Sequence, residues 1–476
     1  PYLNYSMEDF KNGSREMPKK MKKKVDALSE EDISALMQFF ASPQSGERTM
    51  RQFTRRKFIK VLGGAAAVSA IGFPMIAAAG GKKQVVIVGG GVGGATAARY
   101  LRRADASIEV TLIEPKKEYY TCFLSNEVLG GDRDISTLRF GYDGLRNEGI
   151  KVVHDIVSNI DAAGRKVTTK GGQSFSYDRA IVAPGISVRW DAIEGYDLDA
   201  ARKMSHAWKA GAQTTLLHDQ LQAMQDGGTV LISAPPNPFR CPPGPYERAC
   251  QIASYLKNNK PKSKILILDS KDKFSKQGLF TQAWERHYPG MIEWKKAADT
   301  GGGVMRVDAK AGTVSTDFDD YKPAVANIIP PQKAGVIAEA AGLVDDSGWC
   351  PVEGKTFEST IHKGIHIVGD AAIQAPLPKS GYAANSEAKV VAAAIADLLN
   401  DRVPGEPSWV NTCYSIVAPN DGISVAMVYK LGADGKVAKV EGSGGLTPMD
   451  SSPEDRAREV AYAHSWFDNI TSDIFG

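Results

Sequence analysis

The sequence predicts an α/β protein with two dinucleotide-binding (Rossmann-like) domains and a smaller α+β C-terminal domain. Three observations predict it. A G-x-G-x-x-G turn, Gly89, Gly91 and Gly94, lies between the apolar run QVVIV and a helical stretch. A second strand–loop–helix–strand unit starts at Thr229. Strand-and-turn segments at 177–186 and 364–372 flank that unit, which places it between two halves of the first.

A chain of 476 residues has room for two or three domains with sizeable cores. Apolar and charged fractions of 43% and 24% are those of a globular protein. The net charge of +3 is uneven: residues 1–79 hold 13 Lys and Arg against 8 Asp and Glu, and the remainder holds 45 against 47. The body is near neutral, so nothing electrostatic argues for nucleic acid as a partner. The five cysteines, Cys122, Cys241, Cys250, Cys350 and Cys413, are too few for a disulfide scaffold, and each needs its own account.

Within residues 1–49, LSEEDISALMQFFAS predicts an amphipathic helix capped by Ser29, with Asp32 three residues on and Ile33, Leu36, Met37 and Phe40 on one face. The stretch 7–42 resembles the end of a class I cytochrome c domain, which implies Met21 as the position of an axial haem ligand. C-x-x-C-H occurs nowhere, so residues 1–49 read as a cytochrome c-like C-terminal remnant with no haem site. Either Met50 is the true start, or a fusion partner's haem-attachment half lies outside this sequence. Residues 50–79 read as a twin-arginine signal peptide: TRRKFIK with Arg55, Arg56 and Phe58, a weakly apolar stretch, then Ala77-Ala78-Ala79. The alternative is a membrane anchor, but 61–79 holds three glycines and a proline. Periplasmic location by twin-arginine export, with no stable membrane insertion after cleavage, is expected.

Residues 80–205 and 326–400 are expected to form one domain. In its glycine turn, Gly89 allows the tight bend, Gly91 lets backbone approach a pyrophosphate, and Gly94 allows close helix packing. The following helix presents its positive N-terminus to the phosphates. Glu114, 20 residues after Gly94 at the end of the second strand, is placed to accept a ribose hydroxyl. Two later segments select FAD over NAD. YDRAIVAPGI runs into Ala183-Pro184-Gly185, similar to the second FAD contact of two-dinucleotide-fold flavoproteins. GIHIVGDAA, with Gly369 and Asp370, resembles their last FAD motif, in which the aspartate holds ribitol hydroxyls. The helix over 379–399, opening at Gly381 and Tyr382, would aim its N-terminus at the flavin pyrimidine ring.

Residues 206–325 are expected to form a degenerate nicotinamide-type domain. Its strand-to-helix loop, APPNPFRCPPGP, holds one glycine among many prolines. Proline lacks an N–H and fixes φ, so this loop cannot cradle a pyrophosphate, and NAD(P)H is excluded as a partner. The loop carries Cys241, with Arg240 beside it to favour thiolate and Glu247 six residues on. Cys413 lies in PSWVNTCYSIVAP. A cysteine among aromatics, Cys122 in YYTCFLSNEVLGGDR, is open to three readings: core packing, a redox centre, or a covalent tether for the cofactor.

From Lys82 onward the chain resembles the flavoprotein subunit of flavocytochrome c sulfide dehydrogenase. The matching runs are LIEP…YYTC.LSNEV.GGDR, FRCPPGPYERA, KTFES.IHKGIH, PKSGY.ANS and NTCYSI.AP. The resemblance implies a fold of the disulfide-reductase/sulfide:quinone reductase type and FAD bound covalently through Cys122, with Tyr119, Tyr120 and Phe123 walling the ring edge. It implies a Cys241–Cys413 redox disulfide that hydrosulfide attacks, with Cys413 favoured as the flavin-side sulfur, and a c-type cytochrome subunit as heterodimer partner and electron acceptor. Glu247 reads equally as general base or as a carboxylate stabilising a helix N-terminus. Cys250 and Cys350 read as buried free thiols, with a Cys241–Cys350 pairing as rival. Two other functions stand beside this one: a sulfide:quinone oxidoreductase, and a non-catalytic electron-transfer flavoprotein.

Residues 401–476 are expected to form a C-terminal interface domain. Strands surround turns at 433–435 and 442–445, and Ser452 caps a helix with Pro453 first and Asp455 three residues on. Tyr462, Trp466 and Phe467 are expected to pack on the FAD domain rather than face a partner.

Overall fold

The structure is a computed structural model that describes residues 82–476. The cytochrome-like remnant and the signal segment expected before residue 80 lie outside the described residues. The principal elements, in chain order, are β1 (Gln84–Val88), α1 (Val92–Ala104), β2 (Glu109–Ile113), α2 (Ser125–Gly130), β3 (Lys151–Val153), β4 (Arg179–Val182), α3 (Ala212–Ala223), β5 (Thr229–Ala234), α4 (Gly244–Asn259), β6 (Lys264–Asp269), α5 (Gln277–His287), β7 (Ile292–Lys295), β8 (Val325–Ile328), β9 (Ile365–Ile367), α6 (Gly381–Leu399), β10 (Ser408–Ala418), β11 (Asp421–Leu431) and α7 (Pro453–Phe475).

The first sheet is parallel, in the order β9-β4-β1-β2-β3. Its central strands are continuous apolar runs because elements cover both faces. Ala95, Ala97, Ala98 and Leu101 of α1 are fully buried, and their small size lets α6 pack closely through Ala388, Val391, Ala392 and Ile395. Asn385 Nδ2 of α6 donates to Thr96 Oγ1 of α1 at 3.0 Å. A three-stranded antiparallel flap, Val157–Asp161, Lys166–Thr169 and Ser174–Ser176, separates β3 from β4. No signal in the sequence marks it.

The second sheet is also parallel, in the order β7-β6-β5-β8. Its fourth strand corrects the boundary expected at residue 325. β8 pairs with β5 in the register Val230 with Val325 through Ser233 with Ile328, so the second domain extends past that point. All four β8 residues are buried, which an interdomain linker would not be.

The C-terminal part is a long antiparallel hairpin, β10 and β11, extended by Val437–Lys439 and Gly445–Leu446 and covered by α7. Ser452 Oγ caps α7 by accepting from the Asp455 N–H at 3.1 Å. Phe467 and Phe475 of α7 are buried; Phe475 stacks on Phe140 of the first domain with ring centres 5.4 Å apart. Tyr462 stays half exposed. Among the described residues no helix is long and apolar enough to cross a membrane.

Candidate functional site

β1 ends in a turn that only glycine can make. Gly89 has φ +101°, and a Cβ there would collide with the Ala183 carbonyl oxygen. A Cβ on Gly94 would collide with the Gly89 carbonyl oxygen, so α1 approaches the turn through its missing side chain. Glu114 closes the end of β2: Oε2 accepts from the Gly90 N–H at 2.8 Å and Oε1 from the Lys116 N–H at 3.0 Å. After β9, the Gly369–Ala371 turn holds Asp370, and the Gly369 N–H donates to buried Glu387 at 2.8 Å. Burial pushes the Glu387 carboxyl up to about 7. Ser380 caps α6 by accepting from the Ala383 N–H at 3.0 Å, leaving Gly381 and Tyr382 at the helix mouth. Gly89, Gly91, Glu114, Ala183, Pro184, Gly185, Gly369, Asp370, Gly381 and Tyr382 all line one cavity of about 520 Å³, while Gly94 sits just behind it. The size suits a bound cofactor.

The same cavity is lined by three sulfurs, Cys122, Cys241 and Cys413. Cys122 Sγ lies 3.9 Å from the Trp208 carbonyl oxygen. Cys241 is in the left-handed region at φ 57°, where a non-glycine residue is strained. Its N–H donates to the Lys379 carbonyl at 2.8 Å and its carbonyl accepts from Gly244 at 2.8 Å, which fixes the sulfur's direction. Cys413 comes from the middle of β10, and the thiols of Cys241 and Cys413 are near enough to shift each other's protonation. All five cysteines are free thiols here. Cys250 and Cys350 are fully buried; Cys250 accepts from Trp284 Nε1 at 3.2 Å, and burial pushes both thiols up.

One expectation about this centre is corrected. Arg240 is expected to favour thiolate at Cys241, but its guanidinium turns away, donating to the Trp208 carbonyl and lying 3.6 Å from Asp370. Cys241 is instead pushed well up, first by the neighbouring Cys413 thiol and then by burial. Cys413 is pulled down, first by the neighbouring Cys241 thiol and, against the cost of burial, by the Lys276 ammonium.

Glu247, in the first turn of α4, joins this pair. Its Oε1 accepts from the Ile416 N–H at 3.0 Å and its Oε2 from Asn126 Nδ2 at 3.4 Å. Burial is the largest influence and raises its carboxyl to about 7. Asn126 in turn accepts from Arg248 Nε at 3.1 Å. Three residues of this centre are not evident from the sequence: Lys276, Asn126 and Arg248. Asn126 lies in the LSNEV run and Arg248 directly follows Glu247, so proximity to those segments is a usable signal. Lys276 is one of several lysines in SKDKFSKQG, and nothing in the sequence distinguishes the buried one.

The proline loop follows β5 and turns Arg240 and Cys241 into the cavity wall. Phe239 is 1% exposed. Asp269, at the end of β6 where a nicotinamide site keeps a free carboxylate for ribose, is fully buried. It accepts from Lys271 Nζ at 2.6 Å, from Trp294 Nε1 at 2.9 Å and from the Tyr246 hydroxyl at 2.5 Å. Lys271 Nζ also donates to the Pro235 carbonyl at 2.8 Å and lies 5.0 Å from the centre of the Phe239 ring.

Comparison with known proteins agrees with this geometry. A family model described as "Sulfide dehydrogenase [flavocytochrome c] flavoprotein chain, central" matches residues 214–330, and "Flavocytochrome c sulphide dehydrogenase, flavin-binding" matches 405–475. The flavoprotein chain of sulfide dehydrogenase from Chlorobaculum thiosulfatiphilum is 60% identical over 36 residues, 8% of this chain and 75% of that one. The chain belongs to the flavocytochrome c sulfide dehydrogenase flavoprotein family. "Pyridine nucleotide-disulphide oxidoreductase" matches 83–222. Mitochondrial sulfide:quinone oxidoreductase of Mus musculus is 20% identical over 332 residues, 66% of this chain and 70% of that protein. The structure of sulfide:quinone oxidoreductase from Aquifex aeolicus superposes with a TM-score of 0.62 at 17% identity, over 82% of this chain and 92% of that one. The fold is thus of the disulfide-reductase/sulfide:quinone reductase type. As a member of the family the chain is an FAD-binding flavoprotein that oxidises sulfide. The cavity fits that cofactor: a blocked glycine turn at one end of α1, two carboxylates along its length, and the N-terminus of α6 at the other end.

Proposed function

We propose that this chain is the flavin-bearing half of a periplasmic sulfide:cytochrome c oxidoreductase, exported by the twin-arginine route. The carrying observation is that the Cys241 and Cys413 thiols share the wall of the FAD cavity and perturb each other's protonation. Two thiols brought together in one wall are placed to form a disulfide. The Gly89–Gly94 turn and α1 would hold the pyrophosphate, Glu114 the adenosine ribose, Asp370 the ribitol and α6 the pyrimidine edge, with Cys122 as covalent tether. FAD supplies a two-electron acceptor for the cysteine pair that releases electrons singly to a c-type haem.

Hydrosulfide attacks the Cys241–Cys413 bond; one sulfur becomes a persulfide and the other leaves as thiolate. A second hydrosulfide takes the outer sulfur as disulfide or longer polysulfide, returning the cysteine pair with two electrons to give up. Glu247, with a carboxyl that titrates near 7, would hold or release a proton beside the sulfurs. The filled pocket at Asp269 supports a route that does not use NAD(P)H.

A second reading, quinone as acceptor, rests on the similarity to sulfide:quinone oxidoreductases. Anaerobic titration with sulfide followed by oxidised cytochrome c or a short-chain quinone separates them. Reoxidation by cytochrome c at ten or more times the quinone rate is expected, and the reverse order would establish the second reading.

A further inference from the structure

Lys276 is the N-cap of α5 and its side chain is 5% exposed. Its Nζ donates to the Cys413 carbonyl at 2.9 Å and to Ser415 Oγ at 2.8 Å. Among the described residues no carboxylate lies within ion-pairing distance of it. A buried ammonium held by one carbonyl and one hydroxyl lacks a counter-ion, and burying an unpaired charge is costly. The titratable groups that face it from the surrounding elements are Cys413 on β10, Cys241 and Glu247 on the loop and α4, and Glu459 on α7. Glu459 is engaged elsewhere, accepting from Ser424 Oγ at 3.0 Å and Thr447 Oγ1 at 3.1 Å. Glu247 accepts from Ile416 and Asn126. The two thiols are left, and Cys413 is the one whose own carbonyl holds Lys276 and whose charge acts on it most; its sulfur is an anion only when unbonded.

We propose that Lys276 is the built-in counter-ion of a Cys413 thiolate, and that it selects Cys413 as the sulfur that leaves when hydrosulfide opens the cysteine pair. The inference rests on the reading of Cys241 and Cys413 as a redox disulfide. In the opening step hydrosulfide bonds to Cys241 Sγ, the Cys241–Cys413 bond breaks, and its electron pair stays on Cys413. One negative charge enters and one thiolate results, so no proton is consumed. A sulfur with the lower pKa leaves faster, and the ammonium, bonded to the Cys413 carbonyl and facing Cys413 before Cys241, supplies that bias chiefly on the Cys413 side. Lys276 is a positioning residue here, since it acts through Cys413 and not on the substrate.

The test reduces the holoprotein with a phosphine and alkylates it briefly with iodoacetamide between pH 5 and 9. Digestion and mass spectrometry then quantify the Cys241 and Cys413 peptides. Cys413 is expected to react with a midpoint more than one pH unit below the ordinary thiol value of about 8.5. Lys276→Met is expected to raise that midpoint, and for every pH unit it rises Cys413 alkylation at pH 6 falls about tenfold. Lys276→Arg is expected to keep it low. A second arm adds one equivalent of sulfide to the oxidised protein and is expected to place the persulfide on the Cys241 peptide. An ordinary midpoint at Cys413 in the parent, superposed parent and Lys276→Met profiles, or persulfide on Cys413 would each overturn the proposal. The parent profile and the persulfide site decide it even if Lys276→Met does not fold. Failure of the underlying reading looks different: both thiols would alkylate fully without any reductant.

Discussion

Glu247 of helix α4 accepts the backbone N–H of Ile416, three residues beyond Cys413 on β10, at 3.0 Å. One carboxylate thereby ties the two elements that deliver the paired cysteines. Its carboxyl rises from the usual 4.5 to about 7 because burial disfavours the charge more than the N–H favours it. The folded protein therefore holds a proton that the unfolded chain has lost between pH 4.5 and 7. Stability falls across that window, and the deficit is full above 7. Relative to the parent, Glu247→Gln should gain stability as pH rises through this range, approaching on the order of 3 kcal/mol above pH 7. Urea unfolding at pH 5 and pH 8 checks it; an equal difference at both would mean Glu247 does not titrate as described.

If the Cys241 and Cys413 pair carries the chemistry, single substitutions address it directly. Cys241→Ser and Cys413→Ser should each retain FAD yet lose sulfide-driven flavin bleaching by about two orders of magnitude or more, as members of one catalytic unit do. Stopped-flow absorbance under anaerobic conditions measures this. Bleaching at the parent rate in either variant would remove the disulfide from the mechanism.

Cys122 lines the cavity among Tyr119, Tyr120 and Phe123. If its sulfur carries the cofactor, acid precipitation should leave the parent pellet yellow, whereas Cys122→Ala should release its flavin to the supernatant. Equal release from both proteins would mean that FAD is held without a bond.

Gly94 has no room for a side chain, since a Cβ would meet the Gly89 carbonyl oxygen. Overpacking of this kind costs about 1–3 kcal/mol, and here it presses on the cofactor turn. Gly94→Ala should lower FAD occupancy at least about tenfold at limiting cofactor, read as flavin absorbance per protein. Full occupancy would show that α1 can shift without disturbing the turn.

Much of this architecture is written locally. The Gly89 turn, the capped helices at Ser380 and Ser452, and the proline loop at 235–245 each announce themselves by residue type and spacing. The flap at 157–176 does not, because its short strands are half-exposed and their apolar residues are too few to set a period. β8 falls on the far side of its expected boundary because strand pairing is a nonlocal property. The paired cysteines are 172 positions apart, and only family resemblance joins them in advance. Lys276 stays hidden for a related reason: which lysine is buried depends on how α5 meets β10, and a stretch of alternating charge says nothing of that.

The three side-chain hydrogen bonds gathered on Asp269 bear on any attempt to redesign this chain as a reductase fed by pyridine nucleotide. Swapping the prolines for glycines would restore loop geometry but leave the ribose seat taken by the protein's own tyrosine, tryptophan and lysine. An engineer would have to vacate that seat, clear Phe239 and re-expose a carboxylate together, because removing a partner of Asp269 alone strands a buried polar group. In this chain ordinary side chains occupy that port.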